Sequence, residues 1–226
     1  RIRRIALDKT GTITKGEPEV TDIVAAEGVT KDELLLYAYA LEKNSEHPLA
    51  KAIHMYAQQK KIEAKEVDEL EALAGHGLQA KINGKGLYGG NRGFIEEKTP
   101  IAKEILQQGE QFAKEGKTPL YFAMDQKMLG LIAVADVLKE EAAQAVQELQ
   151  DLGIHVTMLT GDHEETAKAI GRLAGVDEVI AGVLPDGKES TIRTLQQRGK
   201  VAMVGDGIND APALTRADVG VAIGAG

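Results

Sequence analysis

Two patterns of apolar spacing divide the chain. From Leu120 onward, short apolar runs alternate with amphipathic stretches of helical period. The pattern predicts a strand at Leu129–Ala135, a helix over 139–152 ended by Gly153, and a strand at Ile154–Leu159. A helix at His163–Ala174, a short strand at Val179–Ala181, a helix at Lys188–Arg198, and strands at Val201–Val204 and Asp218–Ile223 follow. Such alternation implies a parallel sheet covered by helices on both faces. Near the start, Arg-Ile-Ala-Leu at 4–7 reads as a buried strand that delivers Asp8 at its carboxyl end. Between Val20 and Thr118 the spacing changes. Helical periods appear at 30–42, with Leu34, Leu35, Tyr37, Ala38 and Leu41 on the apolar side and Thr30 as N-cap. Another helix runs over 48–60 with Pro48 in its first turn, and a third over 101–115. The glycine-rich stretch 70–95 reads as antiparallel strands with tight turns. We therefore expect an α/β chain in two parts: a parallel-sheet domain from 1–18 and 122–226, and an inserted α+β antiparallel-sheet domain at 19–121.

Composition narrows what these domains do. Of 226 residues, 43% are hydrophobic, enough for a real core. The net charge is −8, from 27 basic and 35 acidic residues, which argues against nucleic acid as a partner. Phosphate binding must then rest on local positive charge. Cysteine is absent, so there are no disulfides or thiolate metal sites within the sequence, as suits a reducing compartment. Aromatics are 4% with no tryptophan, which leaves little for a base-stacking platform. The longest apolar run, Leu129 to Leu138, is interrupted by Asp136 and falls short of a membrane span. The Arg-Ile-Arg-Arg opening lacks a signal-peptide pattern, and the abrupt Gly224-Ala225-Gly226 end suggests a segment of something longer.

Three polar clusters follow strands: Asp8-Lys9-Thr10-Gly11-Thr12, Thr160-Gly161-Asp162 and Gly205-Asp206-Gly207-Ile208-Asn209-Asp210. Ligands of open α/β sheets bind beyond the carboxyl ends of the strands, so the clusters should meet at one site. A carboxylate at a strand end is placed to attack an electrophile, which makes Asp8 the candidate nucleophile. Asp8 and Asp206 together form an oxygen-rich pocket of the kind Mg²⁺ prefers, and Asp210 holds a metal-bound water or orients a neighbouring donor. Thr160 offers a hydroxyl, Gly161 an amide and Lys188 a positive charge to a phosphoryl group. Taken alone, Asp8 is as well read as a turn cap and Lys188 as a solvated helix-start lysine. The order of the clusters is what favours chemistry.

In that order the motifs resemble those of P-type ATPases, within the haloacid-dehalogenase-like superfamily, over essentially the whole chain. The resemblance implies a Rossmann-like phosphorylation domain in which Asp8 is phosphorylated. It implies that Lys9 and Thr12 contact phosphate, with Asp162 part of the second motif. Asp8, the Thr10 carbonyl and Asp206 would bind Mg²⁺, with Asn209 and Asp210 completing the site. Asp136 with Lys139 resembles the family's hinge segment. The superfamily's phosphatases commonly carry a general acid–base aspartate two residues after the nucleophile. Here that residue is Thr10, so a phospho-aspartate should hydrolyse slowly, as suits a pump more than a phosphatase.

The inserted stretch resembles the nucleotide-binding domain of the heavy-metal (type 1B) subclass, through Ser45-Glu46-His47-Pro48-Leu49, Glu42, Gly75-His76-Gly77 and Gly90-Asn91. The resemblance puts ATP, by adenine and ribose, near Glu42, His47, Gly75, Gly77, Gly90 and Asn91. His76 reads as a solvent-facing turn residue, and His54, His155 and His163 as structural. A copper pump is favoured over a zinc or cadmium one by resemblance alone. The implied partners are the membrane and actuator domains of one full-length pump and a heavy-metal ion bound elsewhere, which would make this a cytoplasmic domain of an integral membrane protein. A free-standing phosphohydrolase and a non-catalytic nucleotide-binding module are the competing readings. The missing carboxylate at position 10 and the insertion argue against the first, and intact Asp8, Lys188 and Asp206 against the second.

Overall fold

The structure is a computed structural model that describes residues 1–207 and 210–223, with Asp206 described in its backbone alone. The chain forms two compact units. One comprises Arg1–Glu17, Lys114–Gly116 and Asp136 to the carboxyl end, and the other Pro18–Ala113 and Lys117–Ala135.

The first unit holds a five-stranded parallel sheet in the order β11-β10-β1-β8-β9. Its strands are β1 (Arg4–Asp8), β8 (His155–Leu159), β9 (Glu178–Ile180), β10 (Val201–Asp206) and β11 (Val219–Ile223). Side chains alternate between the faces. On β1, Leu7 joins Val146 of α5 (Ala142–Asp151), Met158, and Ile170 of α6 (Glu164–Ala174) on one face. Ala6 joins Leu159, Met203, Ile192 of α7 (Lys188–Gln196) and Ala213 of α8 (Ala211–Arg216) on the other. Glu164 and Glu165 favour the positive end of α6, and Gly175 closes the helix with φ +78°, a conformation glycine adopts without strain.

The second unit is a six-stranded sheet, β2-β7-β6-β5-β4-β3. The strands are β2 (Thr14–Ala25), β3 (Asp68–Leu73), β4 (Gly77–Ile82), β5 (Lys85–Gly90), β6 (Thr118–Met124) and β7 (Lys127–Leu138). The run from β3 to β7 pairs antiparallel throughout. Helices α1 (Lys31–Glu42) and α2 (Pro48–Gln59) bury Leu34, Leu41 and Ile53 against Phe122 and Ile132. Helices α3 (Arg92–Glu96) and α4 (Lys103–Lys114) bury Phe94, Ile95 and Phe112 against Tyr121 and Leu131. Thr30 caps α1 by accepting from the Glu33 amide at 3.0 Å, as its sequence position suggests.

One boundary differs from the sequence reading. The insertion does not close at 121: the chain returns to the parallel unit between Ala135 and Asp136. The apolar run 129–135 reads equally well as a parallel-sheet strand, but its partner is β6 in antiparallel register, Leu131 opposite Tyr121. Among the described residues no helix is long and apolar enough to cross a membrane.

Candidate active site

The site is built at the carboxyl edge of the parallel sheet. Asp8 ends β1 opposite Leu159, the last residue of β8, so Thr160 emerges directly beside it. On the other flank Leu7 lies opposite Val204, which brings the backbone of Gly205-Asp206 next to Asp8. The three sequence clusters therefore converge as their strand-end positions require.

Two buried carboxylates share one ammonium there. Lys188 Nζ lies 3.0 Å from Asp8 Oδ1 and 2.5 Å from Asp210 Oδ1. The Lys188 side chain is 15% exposed, that of Asp8 9% and that of Asp210 0%. Burial pushes the Asp8 carboxyl above its ordinary range. Lys188 pulls it back and Asp210 pushes it further up, and the rise prevails. Burial also pulls on the Lys188 ammonium, but bonds to Asp210 and Asp8 hold it above the usual lysine value. A single ammonium thus under-compensates two carboxylates. A second, cationic partner with a preference for hard oxygen donors fits this donor set. Among the described residues no group of three or more His, Cys, Asp or Glu side chains has metal-binding geometry, and the Asp206 side chain lies outside that description.

Asp210 precedes α8, and its carboxylate needs the hydrogen atom that glycine carries at 205: a Cβ there would fall 2.4 Å from Asp210 Oδ2. Lys188 is the first residue of α7, after the turn Pro185–Gly187. Lys9, buried, pairs with Asp162 at 2.8 Å. Thr160, also buried, accepts the Asp162 amide on its hydroxyl at 3.1 Å, which leaves its own proton free to donate. Thr10 and Gly161 are both exposed. Thr12 is half-buried in the Lys9–Ile13 loop. Asn209 lies outside the described residues.

The nucleotide candidates form two sets in the second unit. Glu42 ends α1 and His47 begins α2. The Glu42 carboxyl is buried, and burial pushes it up to about 7. Its carbonyl accepts the Ser45 amide at 2.9 Å and His54 Nε2 at 2.5 Å, so His54 is structural, tying α2 to the end of α1. His47 is exposed, and its Nδ1 accepts the Leu49 amide at 3.2 Å, which caps α2 and assigns the ring proton to Nε2. Asn91 caps α3 through the Phe94 amide and donates to the Gly75 carbonyl, both at 2.9 Å. Gly77 and Gly90 oppose each other across β4 and β5. A Cβ on Gly77 would fall 2.0 Å from the Gly89 carbonyl, and one on Gly90 2.2 Å from the His76 carbonyl. These two glycines serve backbone approach, whereas Gly75, at φ +76°, faces open space. Among the described residues no side-chain hydrogen bond joins the two sets.

A family model described as haloacid dehalogenase-like hydrolase matches residues 2–218. The chain belongs to this hydrolase family. Its curated relatives include the copper-exporting P-type ATPase of Staphylococcus saprophyticus, 47% identical over all of this chain and 28% of that protein. They also include copper-transporting ATPase 1 of Rhizobium meliloti, 46% identical over 98% of this chain and 27% of that protein. The hydrolase chain thus spans little more than a quarter of these relatives' length. It is similar in structure to a zinc-transporting PIB-type ATPase in its E2·Pi state, with TM-score 0.84 and 39% identity over 96% of this chain and 35% of that one.

For this haloacid dehalogenase-like hydrolase the sequence reading missed Thr14. Its side chain is wholly buried and bonds across the fold to Asp136 at 2.5 Å. Asp136 itself entered only through the resemblance to a hinge. A hydroxyl two residues past Thr12 was the available signal. It carried no meaning until the strand bearing Asp136 was known to lie beside it.

Proposed function

We propose that this chain is the ATP-binding and phosphorylation unit of a heavy-metal-translocating P-type ATPase, and that Asp8 takes the phosphoryl group. The observation that carries the reading is the buried Asp8–Lys188–Asp210 cluster at the carboxyl edge of a parallel sheet, beside a residue, Thr10, that cannot act as acid or base. A carboxylate oxygen of Asp8 bonds to the γ-phosphorus as the bond to the β–γ bridging oxygen breaks, and ADP departs with that oxygen's electron pair. Lys188 offsets charge on Asp8 and Asp210 before transfer, and the free hydroxyl proton of Thr160 and the loop amides donate to the equatorial oxygens. Lys9, now paired with Asp162, is a further cation for the phosphate. Asp8, the Thr10 carbonyl, Asp206 and Asp210, together with Asn209, would hold Mg²⁺. When bound, Mg²⁺ neutralises charge on the transferring group. With no carboxylate at position 10, the chain lacks the acid–base group that readies water two residues after the nucleophile, so the acyl phosphate persists long enough to drive a conformational step.

Glu42, His47, Gly75, Gly77, Gly90 and Asn91 would form the adenosine site. The ring proton on His47 Nε2 makes it a donor toward nucleotide. Gly77, Gly90 and Asn91 act by shaping the end of the β4–β5 pair away from its turn, while His47 and the open flank of Gly75 meet the ligand.

Copper is the favoured cargo, because the curated relatives at 46–47% identity over nearly the full chain are named for copper. Likeness to a zinc-transporting ATPase supports zinc as a second reading. On this proposal the chain is the cytoplasmic portion of a membrane pump, and its partners are that pump's membrane and actuator domains.

The test is acid-quenched labelling with γ-labelled ATP or labelled acetyl phosphate, followed by hydroxylamine. The expected label is acid-stable, released by hydroxylamine and absent in Asp8→Asn. A label that survives hydroxylamine, or persists in Asp8→Asn, would sink the assignment. In the full-length pump, dependence of labelling on Cu⁺ or on Zn²⁺ separates the two cargoes.

A further inference from the structure

The loop after Asp8 is held by a side chain that the phosphoryl chemistry does not use. Thr14, with no exposure, places its hydroxyl within reach of three groups. These are the Gly11 amide at 3.3 Å, the Lys9 carbonyl at 3.2 Å and Asp136 Oδ2 at 2.5 Å. A hydroxyl has one proton to give and two lone pairs to offer. The Lys9 carbonyl is already satisfied by the Thr14 backbone amide. The short bond to a carboxylate is the stronger claim on the proton, so it goes to Asp136. That choice turns a lone pair toward the Gly11 amide.

Asp136 holds a second point. Its Oδ1 accepts the Gly16 amide at 2.9 Å. Gly16 sits at φ +84°, and a Cβ on it would lie 3.3 Å from the Gly11 α-carbon. The Lys139 amide donates to the Ile13 carbonyl at 3.0 Å. Gly11 itself takes φ +77° and follows Thr10 in a non-helical conformation. The peptide that turns the loop back toward Asp8 is thus fixed through one hydroxyl and one carboxylate, whose residues are far apart in sequence.

The geometry points to Thr14 and Asp136 as a positioning relay: Asp136 fixes the Thr14 proton, and Thr14 fixes the Gly11 amide in the loop that receives the phosphoryl group. Its catalytic consequence rests on the phosphotransfer reading above, while its geometric content does not. Without the Asp136 charge, the Thr14 proton is free to turn to the Lys9 carbonyl, and the Gly11 amide loses its oriented acceptor. Near-attack geometry is sensitive to displacements of this size.

The experiment compares Asp136→Asn, Thr14→Val, Thr14→Ser and the double variant Thr14→Val/Asp136→Asn with the unaltered chain. Amide hydrogen exchange at Gly11, read by NMR, reports the relay directly. Acyl-phosphate formation at saturating ATP, with ATP affinity measured separately, reports its effect. We expect Asp136→Asn and Thr14→Val each to speed Gly11 exchange and to slow labelling by roughly 10- to 100-fold, with ATP affinity within about twofold. Thr14→Ser keeps the hydroxyl and should retain both readouts. The double variant should be no slower than the worse single one, because both changes cut one chain of bonds. Unchanged Gly11 exchange in Asp136→Asn overturns the relay. So do additive losses of rate, or failure of serine to rescue. If the unaltered chain takes no label, the phosphotransfer reading fails, and Gly11 exchange alone decides the relay. If Thr14→Val does not fold, Asp136→Asn and Thr14→Ser carry the same comparison.

Discussion

The two units solve the problem of a polar site in opposite ways. Around Asp8, charges are buried and set against one another: two carboxylates and one lysine, none more than 15% exposed at the side chain. In the inserted unit the polar candidates His47 and Asn91 are exposed and spend side-chain atoms on capping helices. Its one buried charge-bearing candidate, Glu42, gains no cation and is driven toward its neutral form. Buried charge concentrates electrostatic force at the point of bond making, at a cost in stability that each partner must offset. Capping residues cost little, and they fix the orientation of a binding group through backbone they would need to satisfy anyway.

The sharpest way to break the contrast is Lys188→Met. It removes the ammonium that the buried Asp8 and Asp210 share. Loss of one partner from a buried ionic group costs on the order of 3–5 kcal/mol. Urea unfolding should show a loss of that order, and acyl-phosphate labelling should vanish. A variant as stable as the original would mean that the cluster is already neutralised by proton uptake, and the account of opposed buried charges would fall.

Glycines of the inserted unit come next. Gly77→Ala drives a methyl group against the Gly89 carbonyl at 2.0 Å, on backbone that has no slack. We expect about 3 kcal/mol of destabilisation, since neither strand can yield without losing pairing. Gly75→Ala meets open space and bears only the strain of a left-handed conformation, about 1 kcal/mol. Equal melting temperatures for the two variants would refute the distinction between a packing glycine and a turn glycine.

Glu42 gives a pH signature set by burial alone. Its folded-state value, about 7, lies above the ordinary 4.5. A carboxyl raised on folding binds its proton more tightly in the native state, so stability is greatest below 4.5 and falls as pH rises through about 7. Glu42→Gln removes the ionisation. The variant should exceed the original in stability by up to about 3 kcal/mol at pH 8, with the gap closing toward pH 4.5. A gap that is constant with pH would show that Glu42 does not titrate in this window.

What the sequence made legible follows from the range of the interactions. Helix caps at Thr30 and the strand-end position of Asp8 are local, and the spacing of apolar residues states them directly. The parallel sheet was legible because each βα repeat carries its own period. The closing boundary of the insertion was not, because an apolar run at 129–135 suits either sheet, and only the pairing of Leu131 with Tyr121 decides. The same holds at the sites. Asp8, Lys188 and Asp210 could be named from motif order, but the demand of Asp210 on Gly205 is a contact, not a pattern. The resemblance places Gly77 and Gly90 near the nucleotide. Their close approach to backbone gives a sufficient reason for glycine without any ligand. The short helices α3 and α8 escaped notice because five or six residues do not complete two helical periods.

The smallest effect separates the two duties of His47. Its Nδ1 caps α2, and on the proposed function its Nε2–H donates to nucleotide. His47→Ala removes both, and loss of a cap costs about 1 kcal/mol, a few degrees in melting temperature. His47→Asn supplies a different capping oxygen at the same position, so the melting temperature should recover while ATP affinity stays low. That pattern would assign binding to Nε2 and stability to Nδ1. If asparagine restores ATP affinity along with the cap, the imidazole contributes only through the helix start, and the inserted unit must hold its nucleotide by other groups.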